Sequence, residues 1–456
     1  MDGPMAGEHR LLTLAILALV TIIAFEAMAV STAMPVVARE LDAVRSYGLA
    51  FSFLLTAELL GIVLSGLWSD RRGPLPVLVA GQLLFAVGCV TAGLAVGFPM
   101  LLLGRLVAGL GSGLDIVAIY VVIGRSYPEA LRPKVFSWIS AAWVLPSLAG
   151  PPVAGLLTTT WSWRWVFLVV VAPIAVTFAV VLSQRGRIVG DAPRPAGDGS
   201  QRRVAWLGLA VAVAAGAMQV GAERLVPLDP GALLLTAAGL AAVALVFPRL
   251  VPHGTLWMAR GLPAVLASRF LLTAAFNGAM TFVPLMLVAS RGLTPALSGL
   301  MLSIGALGWS LGSFLQGREP LAAHKAALVS TGGACLSAGT AALAVVAALG
   351  LHHVVVGVAS ALCGLGMGLA MSATSVLSLS LSPLEQHGST ASSLNLADVL
   401  GSVMGISVAG AVFAALHDPA GADVAVFVLM WSVLAGVAAL VVPGGQRTRP
   451  GATMGT

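Results

Sequence analysis

The chain has 456 residues, 58% hydrophobic and only 9% charged, against about 25% charged in soluble proteins, so a water-solvated surface is excluded. Lysine and arginine outnumber the acids 24 to 18, but no basic cluster is interleaved with aromatics, which removes nucleic acid as a partner and leaves positive loops facing an inner leaflet. With 53 glycines to let helix backbones approach in lipid, the chain is expected to be an all-α polytopic membrane protein.

Apolar runs of spanning length recur at 11–36, 47–67, 75–97, 99–123, 135–158, 164–183, 204–222, 231–248, 263–289, 295–316, 326–349, 353–378, 388–416 and 422–442, fourteen in all. Arg10 ahead of the first run imitates a signal peptide. The run outlasts an h-region and no small-x-small cleavage site ends it, so it is read as an uncleaved span. Within it, Glu26 interrupts residues that are otherwise apolar from Leu11 to Ala38. At about 1.5 Å per residue these positions reach roughly 42 Å, which puts Glu26 near the middle of a hydrocarbon core of roughly 30 Å. An ionised acid there costs about 2.5–3.5 kcal/mol, so it calls for a partner or a function.

Span 2 holds Glu58 and ends in Gly66-Leu-Trp-Ser-Asp70-Arg71-Arg72-Gly73-Pro74. Gly66 suits close packing, Asp70 suits a cation or a helix N-terminus, and Gly73 suits a tight turn. Span 4 carries Arg105-Leu-Val-Ala-Gly109-Leu-Gly111-Ser-Gly113 and then Asp115. Arg105 and Gly109 share a face near Ser112, and Asp115 is expected to border the same cavity from about 80° around the helix. An arginine in lipid needs an acid or a water-filled cavity. Span 5 contains Gly150-Pro151-Pro152-Val-Ala-Gly155, expected to kink and to let neighbours approach. Gln184 to Arg203 is the one long polar segment and reads as a linker. Gly364-Leu-Gly-Met-Gly-Leu369 in span 12 repeats Gly109-Leu-Gly-Ser-Gly-Leu114 at an offset of 255, and nearly the same offset aligns Pro35 with Pro284. Two related six-helix sets follow, with spans 7 and 8 inserted between them. In span 13, Asp398 shares a face with Asn395 and Ser402, while Arg269 in span 9 is read as lying at a cytoplasmic helix end.

With the N-terminus inside, seventeen basic residues fall in inner loops and tails and five in outer loops, so both termini are expected in the cytoplasm. The domains are then 1–183, a six-helix bundle; 184–203, a cytoplasmic linker; 204–250, an inserted hairpin; 251–444, a second six-helix bundle; and 445–456, a cytoplasmic tail. Cys89, Cys335 and Cys363 lie in apolar runs without paired spacing and read as packing residues. His352 and His353 lie in an expected outer turn, so no metal site is expected. There is no phosphate-binding G-x-x-x-x-G-K-[ST] loop, and no nucleophile, base and orienter set stands out, so neither ATP drive nor an enzyme is expected.

The segment from Gly66 resembles the cytoplasmic signature G-x-L-x-D-R-x-G-R-R of the major facilitator superfamily at Gly66, Asp70, Arg71 and Gly73, and departs from it at Trp68, Pro74 and Leu75. The resemblance implies a gate latch at those four matching residues. Arg105 and Gly109 resemble the R-x-x-x-G-x-G motif of proton-coupled members, and Gly150, Pro151 and Gly155 resemble the gating element of exporters. Glu26 nine residues before Pro35, together with Trp163-Arg164-Trp165-Val166-Phe167, resembles the fourteen-span drug:proton antiporters, where the acid is more usually Asp. The fold implied is the major facilitator fold, two six-helix bundles plus an inserted two-helix hairpin, with spans 1 and 4 lining a central cavity, which makes Glu26 the natural partner of Arg105.

The expected function is proton-coupled antiport: export of lipophilic, cationic, drug-like compounds across a plasma membrane by alternating access, driven by the proton gradient, with no cofactor and no metal. Glu26 and Arg105 are the expected coupling pair, with Glu58 and Asp115 as secondary proton sites. Asp398, Asn395, Asp115 and Glu58 are the expected substrate contacts. The small-molecule substrate, protons and the bilayer are the expected partners of a monomer. Two alternatives stand beside this reading: an exporter of a lipid or secondary metabolite, and a non-cycling receptor or scaffold.

Overall fold

An apolar chain in lipid must satisfy its own peptide groups, and a helix does so within one segment. In the computed structural model, which describes residues 9–129, 131–188, 199–224, 229–383, 386–419, 421 and 423–448, every regular element is helical. The middle of the expected linker, 189–198, and most of the expected tail, 449–456, lie outside the described residues. In chain order the helices are α1 (Arg10–Glu40), α2 (Leu49–Arg72), α3 (Pro74–Gly93), α4 (Phe98–Ser126), α5 (Arg132–Ala142), α6 (Val144–Thr160), α7 (Arg164–Leu168), α8 (Val171–Ser183), α9 (Arg185–Ile188), α10 (Gly199–Glu223) and α11 (Pro230–Val246). There follow α12 (Leu262–Leu285), α13 (Pro295–Gln316), α14 (Glu319–Ala322), α15 (Lys325–Leu349), α16 (His353–Ser380), α17 (His387–Leu416), α18 (Val424–Ala439) and α19 (Val441–Arg447).

Thirteen helical segments among the described residues are long and apolar enough to cross a bilayer. The remaining expected span, 204–222, is α10, whose apolar part Trp206–Ala222 is 17 residues long. That is roughly 25 Å, a little under the average hydrocarbon thickness.

Three expected spans are interrupted, each for the same reason. Proline lacks an N–H and its ring presses on the carbonyl four residues back. Pro146 stands four after Ala142, where α5 stops; Pro173 stands four after Val169, in the gap between α7 and α8; Pro443 stands four after Ala439, where α18 stops. α6 runs on through the expected Gly150–Pro151 element, with Pro151 and Pro152 inside the helix, while the interruption of the span is at Trp143. Pro35 and Pro284, aligned by the repeat, both lie inside continuous helices.

The chain forms two compact units, Met1–Val44 with Phe53–Ala212, and Arg45–Ser52 with Val213–Thr456. The division at Ala212 falls within α10, so the second unit takes the expected hairpin from Val213 onward. In the first unit, Leu12, Ile16, Leu19 and Ile23 of α1 share a core with Leu114, Ile119 and Val122 of α4 and with Phe85 of α3. In the second, Leu272 of α12, Leu336 of α15, Met367 of α16 and Val441 of α19 share another. The Trp431 indole donates to the Ala279 carbonyl at 3.1 Å.

The glycine repeat has the same packing in each unit. Gly109 and Gly113 bring α4 against the α2 backbone at Leu54 and Glu58, while Gly111 brings it against α3 at Gly81 and Phe85. Gly364 and Gly368 bring α16 against α13 at Gly305 and Trp309, while Gly366 brings it against α15 at Gly332 and Leu336. A side chain at any of these positions would meet backbone, which explains why the spacing recurs.

Candidate functional site

Glu26 and Arg105 come together as expected. Both are 2% exposed, and Arg105 Nη1 donates to Glu26 Oε1 between α4 and α1. Burying either charge alone in this apolar core would be costly, and pairing is what makes both tolerable. Glu58 on α2 is half-buried and lies within electrostatic reach of both Glu26 and Arg105. Its helix is held there by Gly113, which lets the α4 backbone approach the Glu58 carbonyl. Glu58 thus adds a second carboxyl group near the Glu26–Arg105 pair, so the three together are neutral when they hold one proton or one further cation. Ser112, two turns along α4 from Arg105, is buried and donates to the Gly109 carbonyl at 3.0 Å.

Asp115 does not join this set. It lies on the face of α4 that packs on α3, so that a Cβ added to Gly81 would come 2.7 Å from the Asp115 Cγ. Neither carboxyl oxygen has a hydrogen-bond partner among the described residues, and the residue is fully buried. The expectation that Asp115 borders the Arg105 cavity is corrected by this helix face.

Asp398 is also placed differently. Rather than an open acid, it is the partner of Arg269, which lies seven residues inside α12 and not at a helix end. Arg269 Nε donates to Oδ1 at 2.6 Å and Nη2 to Oδ2 at 2.8 Å, a bidentate fork. The remaining Nη1 donates to α16, to the Met371 carbonyl at 2.7 Å, Thr374 Oγ1 at 3.0 Å and Ser375 Oγ at 2.8 Å. Further along α17, Ser402 donates to the Asp398 carbonyl at 2.7 Å and accepts from Asn277 Nδ2 of α12 at 2.9 Å. Asn395 is exposed and takes no part. The available signal was an arginine in an apolar run facing a Thr-Ser pair one bundle position away, which spacing alone does not connect.

Of the latch residues, Gly73 has φ +78° and makes the turn expected of it. Gly66 meets nothing within 4 Å of an added Cβ, so the close packing expected there is absent. Asp70 is half-buried and Arg71 exposed, and neither has an ion-pair partner among the described residues. Gly150 packs on α1 at Met28, and Pro151 and Gly155 are buried in α6. The Trp163-Arg164 motif clamps the end of α1: the Trp163 indole donates to Glu40 Oε2 at 2.8 Å and Arg164 Nη1 to Oε1 at 2.7 Å.

Apolar spanning helices, glycine-packed repeats and buried ion pairs define a polytopic transporter-type bundle. The chain matches the Major Facilitator Superfamily over residues 16–406 and belongs to that family. It is similar to the MFS-type transporter ppz2 of Metarhizium majus, 27% identical over 63% of this chain and 51% of that one. It is also similar to the multidrug efflux pump SdrM of Staphylococcus aureus, 29% identical over 35% of each chain. The matched part thus spans about half or less of these relatives' lengths. Among solved structures, a POT family transporter in complex with 5-aminolevulinic acid matches with a TM-score of 0.71 at 15% identity, covering 98% of this chain and 99% of that one, a likeness of fold.

Proposed function

We propose that the protein is a proton-coupled exporter of lipophilic, drug-like compounds, cationic ones foremost, working by alternating access as a monomer with both termini in the cytoplasm. The carrying observation is the set of Glu26, Glu58 and a single Arg105, neutral with one proton or one cation but not with both. Competition between proton and cation for that one place is the elementary requirement of antiport. The similarity to an efflux pump supports the outward direction.

Exchanging one proton for one monovalent cation moves no net charge, so only the pH gradient drives it, about 1.4 kcal/mol per pH unit. A neutral substrate also gains the membrane potential, about 2.3 kcal/mol per 100 mV.

The test is proton flux in proteoliposomes, read with a pH dye while a panel of lipophilic cations is added. The wild type is expected to move protons, Glu26→Gln to abolish the flux, and Glu58→Gln to weaken cation competition. Proton-silent transport of a neutral or lipid substrate would overturn the cation reading. Silence with every substrate would overturn transport itself.

A further inference from the structure

Two ion pairs lie in the two units, and they differ in one respect that matters. The Arg105 and Glu26 side chains are each 3% exposed, whereas those of Arg269 and Asp398 are 11% and 21% exposed. The second pair is thus the less enclosed of the two. The second pair is also no copy of the first. The offset that aligns Pro35 with Pro284 carries Glu26 onto Ala275, and the offset of the glycine repeat carries Arg105 onto Ser360.

Arg269 ties three helices together, but its links are of two kinds. Those to α16 use neutral acceptors, the Met371 carbonyl and the Thr374 and Ser375 hydroxyls, and they persist whatever the pH. Those to α17 use the Asp398 carboxylate, and a proton there removes the charge that holds the fork. The groups facing the guanidinium are these four side chains and carbonyls, and Asp398 is the one among them that titrates. The neutral Asn277 to Ser402 link remains, two turns of α12 beyond Arg269, as a tether between α12 and α17.

We propose that Arg269 and Asp398 form a second proton-linked switch: Arg269, anchored on α16, positions the Asp398 carboxylate, and a proton taken up by Asp398 releases the start of α17. Arg269 is a positioning residue for a second coupling acid, and the exchange then involves a proton site in each unit. The inference rests on the proton-coupled reading, but its test needs no transport.

Spin labels on Leu379→Cys of α16 and Ala391→Cys of α17, both exposed positions, in full-length protein lacking the three native cysteines, report the separation of the two helices by dipolar EPR. The wild type is expected to separate as the pH is lowered, and Asp398→Asn to be separated at every pH. A pH-independent wild-type distance, or the wild-type response retained in Asp398→Asn, overturns the switch. Should Asp398→Asn fail to fold, Arg269→Lys, which keeps the charge but loses the fork, is expected to respond with its midpoint moved to higher pH; an unmoved midpoint overturns it. Glu26→Gln, run in parallel, is expected to keep the α16 to α17 response while losing proton flux, so the two readings fail separately.

Discussion

Removing Arg105 leaves Glu26 buried without the cation that compensates it. Arg105→Ala is expected to cost about 3–5 kcal/mol, seen as a fall in the detergent unfolding temperature, with Arg105→Lys recovering part of the loss. Asp115 provides the contrast: it is equally buried but has no hydrogen bond among the described residues. Asp115→Asn is expected to leave both unfolding temperature and substrate-evoked proton flux at wild-type values, and a loss of flux would return Asp115 to the coupling machinery. Sequence reasoning singled out Glu26 and Arg105 because each is anomalous in its own run, and paired them because the family resemblance implies that spans 1 and 4 line one cavity. It did not find the neighbours of Asp115 and Asp398, because a helical wheel gives an angle without a direction. Which neighbour fills that angle depends on packing: α3 for Asp115, and Arg269 for Asp398.

Helices were readable from apolar length, and the glycine repeat even gave their contacts, since backbone approach at Gly109 and Gly364 requires the missing side chain. Gly109→Val and Gly364→Val should each overpack the interface, by about 1–3 kcal/mol, with reduced yield of folded protein in both cases. Interruptions were harder to place. Pro151 sits in a Gly-Pro pair and drew attention to itself, whereas the interruption lies by Pro146, whose lost bond and clash both fall four residues upstream at Ala142. Pro146→Ala is expected to join α5 to α6, seen as slower amide hydrogen exchange at Trp143; unchanged exchange would mean that something other than the proline stops α5.

Across the whole molecule, the proposed orientation rests on the charge asymmetry of the loops. Arg318→Cys is expected to resist a membrane-impermeant thiol reagent added outside intact cells, and Arg45→Cys to react; the reverse pattern would invert the topology and with it the direction of transport. Each unit combines two kinds of construction described above. Where Gly109, Gly113, Gly364 and Gly368 let backbone meet backbone, no side chain lies between the helices to change rotamer and absorb strain. Those helix pairs behave as stiff girders that transmit a load without bending. Compliance is left to the segments that proline divides, α5 with α6, α7 with α8, and α18 with α19, each free to flex at a single joint. Any motion of a girder is thus expected to be taken up at those joints and not within the glycine-packed pairs.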